Sequence, residues 1–485
     1  MEDCQPTDAG VEDTYGTRIH CRHRKWALAF TLVGRVRIVL AVMVATLACA
    51  GAATYSRPAA AAGGWTPVTI AASDSTPLAC AYILPGGTAP AGGWPGVILF
   101  HGLGQSYADM EPIGTAMAQF GFASLACDAR GTGASGGKFG LGSSREVQDA
   151  RDLFSWFAGR ADVSDTQIGA FGLSLGGGEV WNAAVAGVPF KAIVPAITWT
   201  NLGSALNPDG VPKSGLIGII SRAVPLSHWD PALAQTAQTL LQGDVTPAAT
   251  SSETARSSRS RLHTLKVPTL LLQGRHDFLF DMDQATAAWK LLAGPKRLYL
   301  GDLGHPPATN PSAEQAGYVA EATAWFGHYL AGGPALGGGV EMAHDPWDGT
   351  TTLSKKLPAA RRATVAFPGK TKIAGSAFAT RSARLTGGPH ETFGDGFVTV
   401  HYSGARNWTH LVATVSVKGS KTPVTEGAAP ITSSSGVVKI PLMNEAVLLP
   451  RGKKLVVEFG ATSADNVYHV GVPIYASAAK VGEGR

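Results

Sequence analysis

Three residues widely separated in this chain are of the types that together turn a serine hydroxyl into a nucleophile. Ser174 lies in Gly172-Leu173-Ser174-Leu175-Gly176, Asp277 ends Gly274-Arg275-His276-Asp277, and His305 ends Gly301-Asp302-Leu303-Gly304-His305. A serine hydroxyl is a weak nucleophile at neutral pH. It needs an imidazole to take its proton and a carboxylate to orient the imidazole. The chain order serine, acid, histidine is one in which such groups work together. The chemistry they would perform is acyl transfer: attack on an ester or amide carbonyl, an acyl-enzyme, and its hydrolysis by water.

Such a serine must stand on a cramped turn between a strand and a helix, where glycine tolerates the close contacts best. The apolar run at 167–171 reads as that strand and 177–186 as that helix. The partners are expected just after later strands. Residues 268–273 and 297–300 read as strands, and they end at Asp277 and His305. Asp281 and Asp283 are alternatives to Asp277, which lies nearest the strand end. His276 and His101 are competitors of His305, which has the required place in the chain order. The developing oxyanion needs two backbone N–H donors. Leu175, at the helix start, is one, and Leu103, in the loop His101-Gly102-Leu103-Gly104 after the apolar run 97–100, is the other.

The surrounding pattern alternates strands and helices, which implies a parallel sheet with helices on both sides. A hairpin at 68–72 and 79–84 is expected at its edge. Strands follow at 97–100, 122–127 and 192–196, and helices at 106–119, 145–158, 282–292 and 313–330. The alternation breaks at 198–263, which reads as an inserted cap, partly helical and partly mobile. Beyond the glycine- and proline-rich stretch at 331–339 the composition shifts to Thr, Val and Ser. Alternating runs at 364–367, 396–402, 410–418, 437–441 and 454–459 predict a β-sandwich. The expected domains are an export or anchor segment at 1–62, an α/β domain at 63–332 and an all-β domain at 340–485.

The 485 residues carry 45% hydrophobic and 15% charged side chains, enough apolar material for a large core. A net charge of +5 with no Lys/Arg-rich block beyond the N-terminus gives no support to nucleic-acid binding. Arg18, Arg22, Arg24, Lys25, Arg35 and Arg37, the apolar run 38–53 and the small residues Ala59 to Ala62 read as a cleaved export signal. Retention as a membrane or cell-envelope anchor is the alternative, with Thr46-Leu47-Ala48-Cys49 faintly similar to a lipid-attachment site. Of five cysteines, Cys4, Cys21 and Cys49 fall in that segment, while Cys80 and Cys127 lie in strand-like runs. They read as two buried thiols, or as a disulfide if their strands are neighbours. No Cys-x-x-Cys pair is present, and neither a metal nor an organic cofactor is expected. The glycine-rich loop 128–137 lacks the ending of a phosphate-binding loop, and Asp128 and Arg130 are expected to support the site by pairing or bonding backbone groups.

Together, His101-Gly102, the stretch Asp128-Ala129-Arg130-Gly131-Thr132-Gly133-Ala134-Ser135-Gly136-Gly137, Gly172 to Gly177, Asp277 and His305 resemble the α/β-hydrolase fold. With the trailing β-sandwich, and the run Val447-Leu448-Leu449-Pro450-Arg451-Gly452-Lys453-Lys454-Leu455, the chain is similar to serine hydrolases of the cocaine esterase and X-Pro dipeptidyl-peptidase type. The resemblance implies an α/β-hydrolase core with a helical cap and a C-terminal jelly roll. It further implies a small-molecule ester or peptide substrate. That family often supplies an oxyanion donor from a tyrosine; Tyr107 is the nearest here. Its peptidases hold a free amino terminus on acidic cap residues, for which this cap offers Asp209, Asp230, Asp244 and Glu253. The expectation is an exported ester hydrolase, with an X-Pro-type peptidase or other amide hydrolase as the alternative. A non-catalytic binding protein on the same fold is the alternative of another class.

Overall fold

The computed structural model describes residues 63–359, 363–374, 377–463, 467–468 and 479–483. The N-terminal segment expected to direct export lies outside the described residues. The expected hairpin opens the fold as β1 (Thr66–Ala71) and β2 (Pro77–Ile83), at one edge of a ten-stranded sheet. Next come β3 (Trp94–Phe100), β4 (Ala123–Cys127), β5 (Val163–Leu173), β6 (Ile193–Ala196), β7 (Thr269–Gly274) and β8 (Lys296–Gly301). Two further strands, β9 (Gly339–Ala343) and β10 (Thr351–Ser354), complete the sheet. The spatial order is β1-β2-β4-β3-β5-β6-β7-β8-β9-β10, with parallel pairing from β4 through to β9. Every residue of β4, β6 and β7 is buried, as strands covered on both faces require.

The covering helices are α1 (Glu111–Gln119), α2 (Ser144–Ala158) and α3 (Leu175–Val185). Ser143 and Glu146 close a capping box that starts α2. Between β6 and β7 the inserted segment folds into α4 (Leu202–Leu206), α5 (Ser214–Ala223), α6 (Pro231–Leu241) and α7 (Pro247–Ala255). The stretch at its end is tied to the rest of the domain by hydrogen bonds. Arg256 Nε donates to Gly140 O at 2.7 Å, the Arg259 N–H to Thr200 O at 2.8 Å, and Arg259 pairs with Asp283 at 2.6 Å. Two more helices, α8 (Asp283–Leu291) and α9 (Ser312–Ala331), pack after β7 and β8.

The sheet extends past the boundary expected at 332–340, because β9 returns parallel to β8 and β10 pairs back on β9. The all-β part therefore begins later. One of its sheets has the order β11 (Lys370–Ile373), β20 (Ala479–Glu483), β14 (Gly396–Ser403), β17 (Ser435–Leu442). The other has β12 (Ala379–Arg384), β19 (Lys454–Gly460), β15 (His410–Val417), β16 (Pro423–Pro430). Between them sits a core that includes Val400, Tyr402, Trp408, Leu411, Ile440 and Phe459. A short pair, β13 (His390–Glu391) and β18 (Leu448–Leu449), lies outside both sheets. The run at 364–367 is not a strand; Phe367 and its neighbours pair with no strand among the described residues.

The reading of Cys80 and Cys127 as two thiols is corrected. β2 and β4 are antiparallel neighbours, Cys80 and Cys127 face each other in register, and their sulfurs are bonded.

Candidate active site

The nucleophile turn is built from backbone contacts that only glycine permits. β5 ends at Leu173 and α3 begins at Leu175, leaving Ser174 alone in the turn with φ 52° and ψ −110°. That is strained territory for a residue with a side chain, and such strain persists only where surroundings enforce it. A Cβ on Gly172 would stand 2.2 Å from Gly176 O, and one on Gly176 would stand 2.2 Å from Phe100 O. The turn is held from both sides. The Ser174 N–H donates to Ala196 O at 2.9 Å, the Gly176 N–H to His101 O at 3.1 Å, and the Thr198 hydroxyl to Ser174 O at 2.6 Å. These bonds leave the Ser174 side chain projecting from the rim of the sheet.

There it meets the other two residues singled out in the sequence. Ser174 Oγ lies 2.9 Å from His305 Nε2, and His305 Nδ1 lies 2.9 Å from Asp277 Oδ2. Asp277 is wholly buried, and its carboxylate is saturated with donors. Oδ1 accepts the N–H groups of Leu279 and Phe280, each at 2.9 Å, and Oδ2 accepts the His305 N–H at 2.9 Å as well as the imidazole. The loops after β7 and β8 are stitched together by an Asp277–Pro307 bridge and by the Arg275 N–H to Gly301 O bond at 2.8 Å. The Asp277 carboxyl is thus held by fixed N–H donors, and it orients the His305 imidazole.

The alternatives are occupied elsewhere. Asp281 accepts the Asn444 N–H, and Asp283 pairs with Arg259. His276 packs edge-on against Phe278. His101 is buried; its Nδ1 lies 2.7 Å from Gly102 O, and its Nε2 accepts the Ala129 N–H at 2.9 Å. Burial holds it below the usual histidine range, so it stays neutral and ties the loop after β3 to the loop after β4.

The N–H of Leu175 is the first of α3, where a helix leaves its donors unbonded and its dipole favours negative charge. Leu103 lies in the loop after β3 and packs in the same apolar cluster as Leu175. Tyr107 stands further along that loop, its N–H bound to Asp128 Oδ1 at 2.8 Å. Asp128 also accepts the Ala134 N–H at 2.8 Å, so the glycine-rich loop wraps a buried carboxylate. Arg130, buried beside it, bonds Asp149 through Nε at 2.8 Å and reaches Asp74 and Thr76 through Nη1. Its guanidinium holds the Asp74 carboxyl well below the usual carboxylate range.

The cap reaches His305 through Phe280 of the Asp277 loop. Trp199 packs on Phe280, and Phe280 packs edge-on against the His305 ring, 5.1 Å between centroids. Both aromatics belong to the apolar cluster that joins the cap residues Leu202, Ile217, Leu233 and Leu240 to Leu175. The acidic cap residues do not converge. Asp209 and Asp244 are exposed, Asp230 caps α6, and Glu253 is buried against the Asn207 side chain. Among the described residues no group of three or more His, Cys, Asp or Glu could hold a metal ion, and no helix is long and apolar enough to cross a membrane.

Two residues at the acid loop carry no sequence signal. Lys213 of the cap is buried, with Nζ donating to Phe278 O at 2.8 Å. Glu445, from the C-terminal part, accepts the Asp277 N–H at 3.2 Å. Neither lies in a motif; each is recognisable only once distant segments are brought together.

With this geometry in hand, comparison with known proteins becomes informative. Residues 74–307 match the model of the X-Pro dipeptidyl-peptidase (S15) family, a span that contains Ser174, Asp277 and His305. A stretch of 109 residues is 31% identical to an uncharacterized 31.7 kDa protein of the traX-finO intergenic region of Escherichia coli, covering 22% of this chain. The chain spans 38% of that relative's length. A CocE/NonD family hydrolase from Staphylococcus aureus superposes with a TM-score of 0.65 at 15% identity, over 86% of this chain and 91% of the other. An α-amino acid ester hydrolase superposes with a TM-score of 0.67 at 14% identity, over 90% and 97%. The chain therefore has the α/β-hydrolase fold, followed by an antiparallel β region, and its residues 74–307 match the X-Pro dipeptidyl-peptidase (S15) family of serine hydrolases.

Proposed function

We propose that this protein is an exported serine hydrolase that cleaves carboxylic esters through an acyl-enzyme, with Ser174, His305 and Asp277 as its catalytic residues. The observation that carries the reading is the unbroken hydrogen-bonded series Ser174 Oγ, His305, Asp277, with 2.9 Å at each link. Ser174 attacks the acyl carbon as His305 Nε2 takes its proton. Asp277 steadies the imidazolium that forms, and the Leu175 and Leu103 N–H groups receive the oxyanion. His305 then returns the proton to the leaving alcohol. Water, losing its proton to the same nitrogen, attacks the acyl-enzyme and frees Ser174.

A small-molecule ester fits best because the cap offers no converging carboxylates to anchor a peptide's free amine. X-Pro peptide hydrolysis remains the second reading, favoured by the family matched over residues 74–307. Export is supported by the basic and apolar N-terminal pattern and by the Cys80–Cys127 disulfide, a bond that persists in oxidising compartments.

Labelling by a fluorophosphonate probe, lost in Ser174→Ala, is the expected outcome; an unlabelled wild-type protein would refute the reading. Short acyl esters should be turned over faster than proline-containing chromogenic dipeptides, and the reverse ranking would select the peptidase. N-terminal sequencing of protein recovered outside the cytoplasm should begin near Gly63; recovery only from the cytoplasm would remove the export proposal.

A further inference from the structure

The C-terminal β region reaches into the loop that carries the acid. Three consecutive residues, Asn444, Glu445 and Ala446, make five hydrogen bonds to the segment between Arg275 and Met282. The Met282 N–H donates to Asn444 O at 3.0 Å, the Asn444 N–H to Asp281 Oδ2 at 3.1 Å, and the Ala446 N–H to Arg275 O at 2.8 Å. Arg275 Nε donates to Ala446 O at 2.6 Å. The fifth bond is the only one of these that ends on Asp277 itself: its N–H donates to the Glu445 side chain. Glu445 is 2% exposed, and its other carboxyl oxygen has no hydrogen-bond partner among the described residues. The Thr392 hydroxyl donates to Glu445 O at 3.1 Å, anchoring the segment from behind.

We propose that Glu445 is a positioning residue for the acid of the reaction, so that the C-terminal β region completes the active site. The inference rests on the reading of Asp277 as the catalytic acid. A buried N–H must be bonded, and at Asp277 the acceptor is a side chain rather than a neighbouring backbone carbonyl. The Asp277 backbone is therefore fixed by a group that arrives from 168 residues away. Because Asp277 fixes His305, a displacement at Glu445 is transmitted to the Ser174–His305 bond.

The electrostatics suit this role. Glu445 faces Asp277, Asp281 and Lys213, and Glu426 also faces Lys213. Burial, reinforced by the two aspartates, pushes the Glu445 carboxyl well above the usual range. Burial thus favours the neutral carboxyl over a second negative charge beside Asp277, whose N–H it accepts. The Lys213 ammonium is spent on the carbonyls of Phe278 and Leu279, at 2.8 and 3.5 Å.

The test compares Glu445→Ala, Glu445→Leu and Glu445→Gln in the full chain, alongside wild type and Ser174→Ala, by ester hydrolysis and fluorophosphonate labelling. Misplacing a catalytic group by about 1 Å costs about 100-fold. Loss of the acceptor in Glu445→Ala should therefore lower kcat by about 10- to 100-fold while KM moves less than about twofold. The pH at which kcat/KM falls on the acid side should move downward as Asp277 loosens. Glu445→Gln, which keeps a neutral acceptor, should recover most of the loss. If Glu445→Ala does not fold, Glu445→Leu fills the same volume without an acceptor and carries the same readout. A folded Ala or Leu variant with wild-type kcat and pH profile overturns the proposal, as does a Gln variant no better than Ala. Equal labelling of wild type and the Ala variant is the failure of this inference alone; no labelling of wild type refutes the hydrolase reading and this inference with it.

Discussion

The turn that carries Ser174 and the loop that carries Asp277 each aim one side chain at the same rim of the sheet, and they are held in opposite ways. The Ser174 turn is enforced close by. Its glycines face Gly176 O and Phe100 O, and its N–H and carbonyl bond Ala196 and Thr198, all at or within two residues of β3, β6 and α3. The Asp277 loop is held by the His305 loop, by Lys213 of the cap and by Asn444 to Ala446 of the β region. One geometry is imposed by steric exclusion, which leaves a residue pattern. The other is assembled from hydrogen bonds whose donors and acceptors are mostly backbone, which leaves none.

The severest challenge to this contrast is Gly176→Ala. A methyl group 2.2 Å from Phe100 O cannot be relieved by a rotamer change, so the variant should fail to give soluble, folded protein. Wild-type yield and Tm would show that steric exclusion does not set this turn. Asp277→Asn should still fold, with a lowered Tm because its NH2 must face N–H donors, but should lower kcat by about 10,000-fold, because the amide favours the wrong imidazole tautomer. A fall of less than about tenfold would remove Asp277 as the acid.

A third turn sharpens the comparison. The glycine-rich loop after β4 combines both devices, a wrapped Asp128 and a buried Arg130–Asp149 pair at 2.5 Å. Removing one partner of a buried pair leaves an uncompensated charge, so Arg130→Met should cost about 3–5 kcal/mol in unfolding free energy, measured by denaturant titration. A cost below about 1 kcal/mol would make the pair a bystander.

The smallest effect concerns the floor of the His305 loop. Glu314 is buried, accepts the Asp302 N–H and is pushed up to about 7 by burial, against 4.5 in the unfolded chain. The folded state binds this proton more tightly, so the contribution to stability is complete below about pH 4.5 and is lost as pH rises through about 7. Between those limits the Tm of wild type should fall relative to Glu314→Gln. Parallel Tm curves for the two proteins would contradict the assignment.

Much of the core was legible beforehand. The strand at 97–100 was legible as a continuous apolar run, and those ending at Leu173, Gly274 and Gly301 as short, largely apolar stretches between helical ones, because strands covered on both faces are mostly apolar. The outer β region was legible only where its strands alternate. The run at 364–367 alternates too but pairs with no strand among the described residues, since pairing depends on a neighbouring edge and not on pattern. Strands β9 and β10 were not read from the sequence; they follow the glycine-rich stretch at 331–339, where the chain bends back onto the same sheet.

The sequence by itself pointed to Ser174, Asp277 and His305 in that order, to the glycines that make the Ser174 turn feasible and to the alternation that builds a parallel sheet. These are local requirements of backbone geometry, and local requirements are written in adjacent residues. Only the tertiary structure decided that Cys80 would face Cys127, that Phe280 would lean on His305, and that Lys213 and Glu445 would converge on the acid loop. Each of those depends on which segments become neighbours when the whole core is buried, a collective outcome of packing that no single window of the chain contains.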